Sequence, residues 1–188
     1  EEARQREYAW LTGDVRAEDR ATQYGHRAAI VLFTGSAQTG KTFLARRVEA
    51  LLVADSRHAY LLEGENLLQG LDADLSAADP SFAAERVRRY GEVARLLIDT
   101  GLIVVSTSKT FGINYQRMAE MIRTLVQPAP VIAVHMSRAG EEPPPNTDLH
   151  FAGPQDFDAA ARQILEELKR RGVLIQPSGT KSTIQYSI

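Results

Sequence analysis

The sequence predicts an α/β fold, a three-layer sandwich built on a mostly parallel five-stranded sheet. Three observations lead to this class. Short apolar, β-branched runs alternate with longer segments whose apolar residues recur at helical spacing, as in parallel strands joined by crossover helices. The first apolar run leads into a glycine-rich loop and a helix. The 188 residues are 44% hydrophobic and 24% charged, which is ordinary for a globular chain with a sizeable core.

The first unit of the fold is a strand, a loop and a helix. Residues 28–34 form a short apolar run bounded by glycine, as a buried parallel strand does. Residues 40–54 follow as a helix, with apolar side chains near helical spacing at Phe43, Leu44, Val48, Leu51 and Leu52. The glycine-rich loop therefore joins the carboxyl end of a strand to the N-terminus of a helix.

The middle of the chain predicts a second strand, a long helix and a third strand. Strand 2 lies within residues 58–66 and is broken by Gly64, directly after Glu63. The helix covers residues 82–101 and closes on a glycine, the residue that commonly follows a helix end. Residues 102–108 are strongly β-branched and form strand 3. The apolar stripe of the helix comprises Val87, Tyr90, Val93, Ala94, Leu97 and Ile98.

The last third of the chain predicts further strands between helices. Residues 111–127 form a helix that ends ahead of a proline, and residues 130–136 form strand 4. The run 140–146 is a loop because its prolines interrupt helix and strand alike, and residues 147–151 are the candidate fifth strand. The helix over 154–172 has proline at its start, acids in its first turn and bases in its last.

Composition and charge predict the domain organisation and exclude some classes of partner. We expect an N-terminal extension over residues 1–27, partly helical, one domain over 28–172 and a C-terminal tail over 173–188. The net charge of −2 argues against nucleic acid and anionic membranes as partners, and no apolar run is long enough to span a bilayer. The absence of cysteine fits a reducing cytoplasm. The chain does not begin with Met, which suggests a segment of a longer protein.

The glycine-rich loop matches the pattern G-x-x-x-x-G-K-[ST] through Gly35, Gly40, Lys41 and Thr42. Glycines let the backbone approach an anion, and the first N–H groups of the helix have no internal partner. The pattern predicts a P-loop NTPase fold that binds ATP and Mg²⁺, with Lys41 at the β- and γ-phosphates and Thr42 on the metal. The alternative is a glycine-rich turn that binds nothing. The predicted nucleotide contacts are Gly35, Ser36, Ala37, Gln38, Thr39, Gly40, Lys41 and Thr42.

Other polar residues follow neighbouring strands and share a crevice with this loop. Ligands of open parallel sheets bind outside the carboxyl ends of the strands. Glu63 and Glu65 follow strand 2, and the segment 106–109 follows strand 3. Phosphoryl transfer to a hydroxyl needs a group that accepts or orients the hydroxyl proton, and either carboxylate can supply it. The alternative is a pair of solvated loop carboxylates.

Several segments together resemble the adenylylsulfate kinase family. Residues 15–35 resemble the lead-in to that domain, and the likeness covers most of residues 15–172. Order, spacing and the R-R-x-G-E-V-A string make the resemblance more specific than the loop alone. The segments are the phosphate loop, LLEGENLLQGLDADL at 61–75, ERVRRYGEVARLLIDTGLIVVS at 85–106 and NTDLH at 146–150.

The resemblance implies a phosphotransferase that passes the γ-phosphoryl group of ATP to the 3′-hydroxyl of adenosine 5′-phosphosulfate in sulfate activation. It implies catalytic roles for Lys41, Glu63 and Glu65. It also implies a homodimer, or a fusion or association with a sulfate adenylyltransferase. The acceptor contacts that it implies are Glu65, Asn66, Arg88, Arg89, Ser106, Thr107 and Lys109.

The sequence departs from the family pattern on the acceptor side. Glu63 and Glu65 stand where the family usually has Asp, and Leu68 stands where it has an Arg that holds the anionic end of the acceptor. The segment 137–145 is short and acidic where the family has a long basic lid. The segment 107–112 also departs from the family, which has basic residues after strand 3, and Lys109 and Arg117 are candidate substitutes for them. Two alternatives therefore stay open. One is a non-catalytic nucleotide-binding or regulatory domain of a sulfate-activating enzyme, and the other is a P-loop kinase with a less anionic or larger acceptor.

Overall fold

Five strands of the described chain form one sheet. The structure, a computed structural model, describes residues 13–107, 115–153 and 156–175. Neighbouring strands are parallel throughout, in the spatial order β2-β3-β1-β4-β5. The predicted α/β fold with a mostly parallel five-stranded sheet is confirmed. The strands are β1 Ala29–Gly35, β2 Ala59–Glu63, β3 Ile103–Thr107, β4 Val131–Ser137 and β5 Leu149–Ala152.

Helices cover both faces of the sheet and make the three layers. Alternate side chains of β1 point to opposite faces: Val31 and Phe33 pack under α2 and α6, whereas Ile30 and Leu32 pack under α4 and α5. Among the described helices, none combines the length and apolar character that crossing a membrane requires. The helices are α1 Ala17–Tyr24, α2 Lys41–Ala54, α3 Gly64–Leu67, α4 Phe82–Asp99, α5 Tyr115–Val126 and α6 Phe157–Arg170.

The predicted strand and helix boundaries hold to within a few residues, and β5 begins later than the run 147–151 suggests. Asp148 donates its backbone N–H to Ala133 O at 2.9 Å, and its carboxylate accepts from Ala133 N–H at 2.7 Å. The Asp148 carboxylate therefore takes the place of a backbone carbonyl as the acceptor for Ala133 N–H, just before β5 begins. Residues 111–114 and 154–155, the predicted starts of two helices, lie outside the described residues.

The segments on either side of the predicted central domain meet each other. Arg27 N–H donates to Val173 O at 2.8 Å, and Ile175 N–H donates to Gly25 O at 3.0 Å. The Arg57 guanidinium also donates to Gly25 O. The predicted extension thus contains a helix, α1, and a short antiparallel pairing with the start of the predicted tail. The domain boundaries themselves stay a prediction.

His26 is a fully buried histidine that joins this pairing to the residues ahead of β2. Its Nε2 accepts from His58 N–H at 3.0 Å, so its Nδ1 carries the proton and donates to Arg27 O at 3.1 Å. Burial lowers the pKa of His26, and the charges of His58 and Arg57 act in the same direction. The folded protein therefore resists protonation of this ring.

We expect the free energy of unfolding to fall as the pH drops below about 6.5, because the unfolded chain then protonates His26 more readily than the folded chain. Above that pH neither state is charged at this ring, and the stabilisation is complete. Chemical denaturation at pH values of about 8 and 5.5 measures the loss. The loss of stability between these pH values should be smaller in His26→Gln, because glutamine does not titrate and its amide oxygen can still accept from His58 N–H. An equal loss in both proteins would contradict the assignment.

Candidate active site

The loop between β1 and α2 packs too tightly to admit side chains at its two glycines. Gly35 has φ 122° and Gly40 has φ 87°, a region that favours glycine. A Cβ on Gly35 would lie 1.8 Å from Met136 O, and one on Gly40 would lie 2.6 Å from the Phe157 ring. The predicted nucleotide contacts from Gly35 to Thr42 therefore lie together around the first turn of α2.

Lys41, the first residue of α2, turns its side chain back over the loop. Its side chain is buried, and its Nζ donates to Gly35 O at 2.8 Å and to Ser36 O. Burial lowers the pKa of Lys41, and the negative charge of Glu65 opposes that shift. A carboxylate of the predicted acceptor side therefore lies close enough to act on the ammonium.

Tyr115 and Glu141 form hydrogen bonds with the first residues of the loop between β1 and α2, and the sequence predicted neither contact. Tyr115 OH donates to Gly35 O at 2.8 Å. Glu141 Oε2 accepts from Ser36 Oγ at 2.5 Å and from Arg138 N–H at 3.1 Å. The sequence does show that the loop after β4 is acidic, and Glu141 is one of its acidic residues. Nothing in the sequence placed the first residue of α5 against the phosphate loop.

A buried histidine of β4 lies beside the same loop. His135 shares a hydrogen bond with Thr34 Oγ1 at 2.9 Å, and the ring of Tyr115 packs edge-on at 5.4 Å between centroids. Burial lowers the pKa of His135, and the charges of His150 and Lys41 lower it further. The ring therefore favours its neutral form and supports one wall of a cleft. This cleft of about 520 Å³ is lined by Ser36, Tyr115, Gln116, His135, Glu141, Glu142, Pro143, Pro144 and Pro145.

The two predicted carboxylates lie at the carboxyl end of β2. Glu63 ends the strand beside Thr107 of β3, and Glu65 follows in α3. Glu63 Oε1 and Thr107 Oγ1 are buried and make no hydrogen bond within the described residues. The same Glu63 oxygen lies 3.6 Å from Arg46 Nη2 in an ion pair. Buried polar atoms normally have hydrogen-bond partners, so Glu63 and Thr107 present groups that a ligand can satisfy.

A buried ion pair that sequence reasoning missed supports this acidic segment. Arg86 Nε lies 3.4 Å from Asp72 Oδ2, and both side chains are almost fully excluded from solvent. Arg86 Nη2 also approaches Gly64 O at 3.4 Å, between Glu63 and Glu65. The helix carries several arginines, and the sequence did not distinguish the one that points inwards.

Ser106, which is predicted to contact the acceptor, is a buried residue between strands. Tyr90 OH donates to Leu62 O at 2.7 Å, and Ser106 Oγ lies 2.6 Å from the same phenol oxygen. Because the phenol proton goes to Leu62, Ser106 donates to Tyr90. The Ser106 hydroxyl thus links β2, β3 and α4, and its contact with the acceptor stays a prediction.

The two arginines predicted to contact the acceptor, Arg88 and Arg89, donate hydrogen bonds to carboxylates. Arg88 donates to both oxygens of Glu85, at 2.7 and 2.8 Å. Arg89 donates to Asp74 at 2.5 and 2.9 Å and to Glu85 at 2.9 Å. Arg88 and then Arg89 hold the pKa of Glu85 at about 2. Each guanidinium carries five N–H donors, so an anionic acceptor would either share the arginine with these carboxylates or compete with them.

The remaining residues predicted to contact the acceptor differ in their exposure to solvent, and two exposed leucines lie close to them. Asn66 is exposed in α3, and Thr107 is buried at the end of β3. Leu68 and Leu71 are 37% and 48% exposed close to the acidic segment. Lys109, the remaining predicted acceptor contact, lies outside the described residues. The leucine that stands at the family's arginine position is therefore accessible to a ligand.

The parallel sheet, the glycine loop and the lysine at the start of the following helix define a P-loop α/β protein. Comparison with known proteins narrows this class. The family model described as adenylylsulphate kinase matches residues 27–143. The chain belongs to the adenylylsulfate kinase family, and the resemblance inferred from the sequence is confirmed.

Curated relatives and a solved structure agree with this family. An adenylyl-sulfate kinase of Yersinia pestis is 29% identical over 194 residues, which cover 88% of this chain and 89% of the relative. One from Shewanella amazonensis is 38% identical over 128 residues, or 68% of this chain and 63% of the relative. The structure of a mutant Mycobacterium tuberculosis APS kinase matches with a TM-score of 0.67 at 29% identity, over 77% of this chain and 99% of that chain.

Proposed function

We propose that this protein is an ATP-dependent phosphotransferase with adenosine 5′-phosphosulfate as the acceptor that its family favours. One observation carries the proposal: Lys41 and Glu65 follow the carboxyl ends of β1 and β2, two parallel strands of one sheet, and the charge of Glu65 opposes the lowering of the Lys41 pKa. The group that would bind the donor phosphates and a carboxylate that would meet the acceptor thus share one crevice. This arrangement suits transfer of the γ-phosphoryl group between two bound ligands.

The proposed reaction breaks the bond between the γ-phosphorus and its bridging oxygen to the β-phosphate. A new bond forms between that phosphorus and the 3′-hydroxyl oxygen of the acceptor, and ADP leaves. Lys41 and the N–H groups of the loop offset the negative charge on the phosphates. The hydroxyl proton is oriented or accepted by Glu63 or Glu65, which end β2 and follow it.

Mg²⁺ fits this proposal because oxygen groups lie where the nucleotide would bind. Thr42 follows Lys41 in α2, and Glu63 Oε1 is buried and makes no hydrogen bond within the described residues. Those residues contain no cluster of three or more His, Asp or Glu side chains that could hold a metal ion by themselves. When bound with ATP, Mg²⁺ would neutralise charge on the β- and γ-phosphates.

Calorimetry with Mg²⁺ and a non-hydrolysable ATP analogue tests the donor site. We expect Lys41→Met to weaken binding by about 10- to 100-fold, because one charge-assisted contact to the phosphates is lost. Lys169→Met, on the exposed end of α6, is the matched control and should bind like wild type. Equal affinities for wild type and Lys41→Met would overturn the proposed donor site.

Acceptor-stimulated release of ADP tests the complete function. Turnover with adenosine 5′-phosphosulfate supports the proposed acceptor. The engaged Arg88 and Arg89 and the exposed Leu68 favour a second candidate, a kinase with a less anionic acceptor. Stimulation by an uncharged alcohol alone would support that candidate. ATP binding without stimulation by any acceptor would support a regulatory domain instead.

The proposed function also suggests an oligomeric state, a partner and a cellular location. A homodimer, or an association with a sulfate adenylyltransferase, would suit a kinase that uses the product of sulfate adenylylation. We expect this work to take place in the cytoplasm, where cysteine-free and disulfide-free chains are ordinary.

A further inference from the structure

An exposed aromatic side chain stands directly after the phosphate-binding residues. Phe43 follows Thr42 in the first turn of α2 and is 61% exposed. Exposure of this ring leaves a large apolar surface in water unless a ligand covers it. Single exposed apolar residues are common on proteins, so the surroundings of Phe43 decide its meaning.

A second aromatic ring packs against Phe43. The ring of Phe157, at the start of α6, lies 4.8 Å from that of Phe43 between centroids, tilted by 56°. Phe157 packs on the core and lies so close to Gly40 that a Cβ there would overlap its ring. The pair, called the Phe43–Phe157 platform below, therefore borders the phosphate loop itself.

Polar contacts fix the two helices that carry this platform. Arg47, one turn after Phe43, donates to Asp158 at 2.6 Å, which ties α2 to α6. Asp156 caps α6 by accepting from Asp158 N–H and Ala159 N–H. A surface held by both helices loses little conformational freedom when a ligand covers it, which favours binding.

The order of the strands indicates which part of a nucleotide would meet this platform. The γ-phosphoryl group must point towards the acceptor and therefore towards Glu63 and Glu65, which end and follow β2. In the sheet, β2 lies on one side of β1, and β5, which is followed by α6, lies on the other side, so the α-phosphate and nucleoside would leave the loop on the side of α6. The first turn of α2 and the start of α6 border the loop there, where Phe43 and Phe157 meet.

We propose that the Phe43–Phe157 platform stacks against the base of the donor nucleotide. The inference rests on the proposed function, because it assumes that the phosphates of the same nucleotide lie in the loop. Aromatic side chains offer a flat, polarisable face to a base without requiring hydrogen bonds to it. Phe43 would then contribute to affinity for the nucleoside and not to affinity for the phosphate chain.

Binding of ATP and of inorganic tripolyphosphate, each with Mg²⁺, separates these two contributions. Wild type should bind ATP more tightly than tripolyphosphate. Phe43→Ala should weaken ATP binding by about tenfold, within the range that a stacked base contributes, and leave tripolyphosphate binding unchanged. Phe43→Tyr, which keeps the ring, should restore ATP affinity, and Phe43→Leu, which keeps only apolar bulk, should not.

Val53→Ala is the matched control, because Val53 is 55% exposed at the far end of the same helix. Three results would overturn the platform: unchanged ATP affinity in Phe43→Ala, equal weakening for both ligands, or tighter ATP binding once the ring is removed. These results leave the donor site intact if Lys41→Met still weakens both ligands. Absence of ATP binding in wild type would overturn the proposed function and the platform together.

Discussion

Asp72→Asn is expected to lower the free energy of unfolding by about 3–5 kcal/mol, because it removes a buried carboxylate that faces the buried charge of Arg86. The two side chains are 0% and 1% exposed, so water cannot replace the lost carboxylate. A loss of this size is a large share of the roughly 5–15 kcal/mol that stabilises a typical domain. Urea denaturation followed by circular dichroism measures it.

An exposed ion pair provides the comparison for this prediction. Glu166 and Lys169 lie 2.7 Å apart on the surface of α6, and Glu166→Gln should change stability by at most about 1 kcal/mol. The double variant Asp72→Leu/Arg86→Met should regain much of the loss, because apolar side chains can replace a buried pair. A cost for Asp72→Asn as small as that for Glu166→Gln would show that the pair is not desolvated in solution.

The layer architecture could be predicted from the sequence because local patterns determine it. The β-branched run that became β3 and the apolar stripe of α4 each imply an element type without knowledge of its neighbours. The capped helix α6 shows the same agreement, since it carries Asp158 in its first turn and Lys169 and Arg170 in its last. Local patterns do not predict the start of β5, because the Asp148 side chain accepts a hydrogen bond from Ala133 of β4, which is distant in the sequence.

The position of the glycine-rich loop could be predicted because one continuous segment supplies it, whereas contacts between distant segments could not be predicted. The phosphate loop is a continuous motif, so its residues could be named in advance. Ser106 and Arg86 could not be assigned, because burial and partners far along the chain decide whether such a group binds a ligand or supports the fold. Tyr90 holds Ser106, and Asp72 neutralises Arg86. Each partner lies more than ten residues away.

Glu63→Gln is expected to lower kcat for acceptor-dependent ADP release by at least about 100-fold, the lower end of what a positioned acid or base contributes. The substitution keeps the shape of the side chain and removes its charge. Glu63 Oε1 is buried beside Thr107 and makes no hydrogen bond within the described residues, so a ligand hydroxyl or a metal is its expected partner. The affinity for ATP should change far less than kcat.

The split between kcat and ATP affinity distinguishes a catalytic role from a structural one. If Glu63 mainly anchors Arg46, at 3.6 Å, then Arg46→Met should reproduce the effect of Glu63→Gln on turnover. Arg46 is 67% exposed, so this pair contributes little to stability on its own, and we expect Arg46→Met to stay within a few-fold of wild type. Equal losses in the two variants would reassign Glu63 to positioning, and the carboxylate of Glu65, whose charge acts on Lys41, would become the group that meets the acceptor hydroxyl.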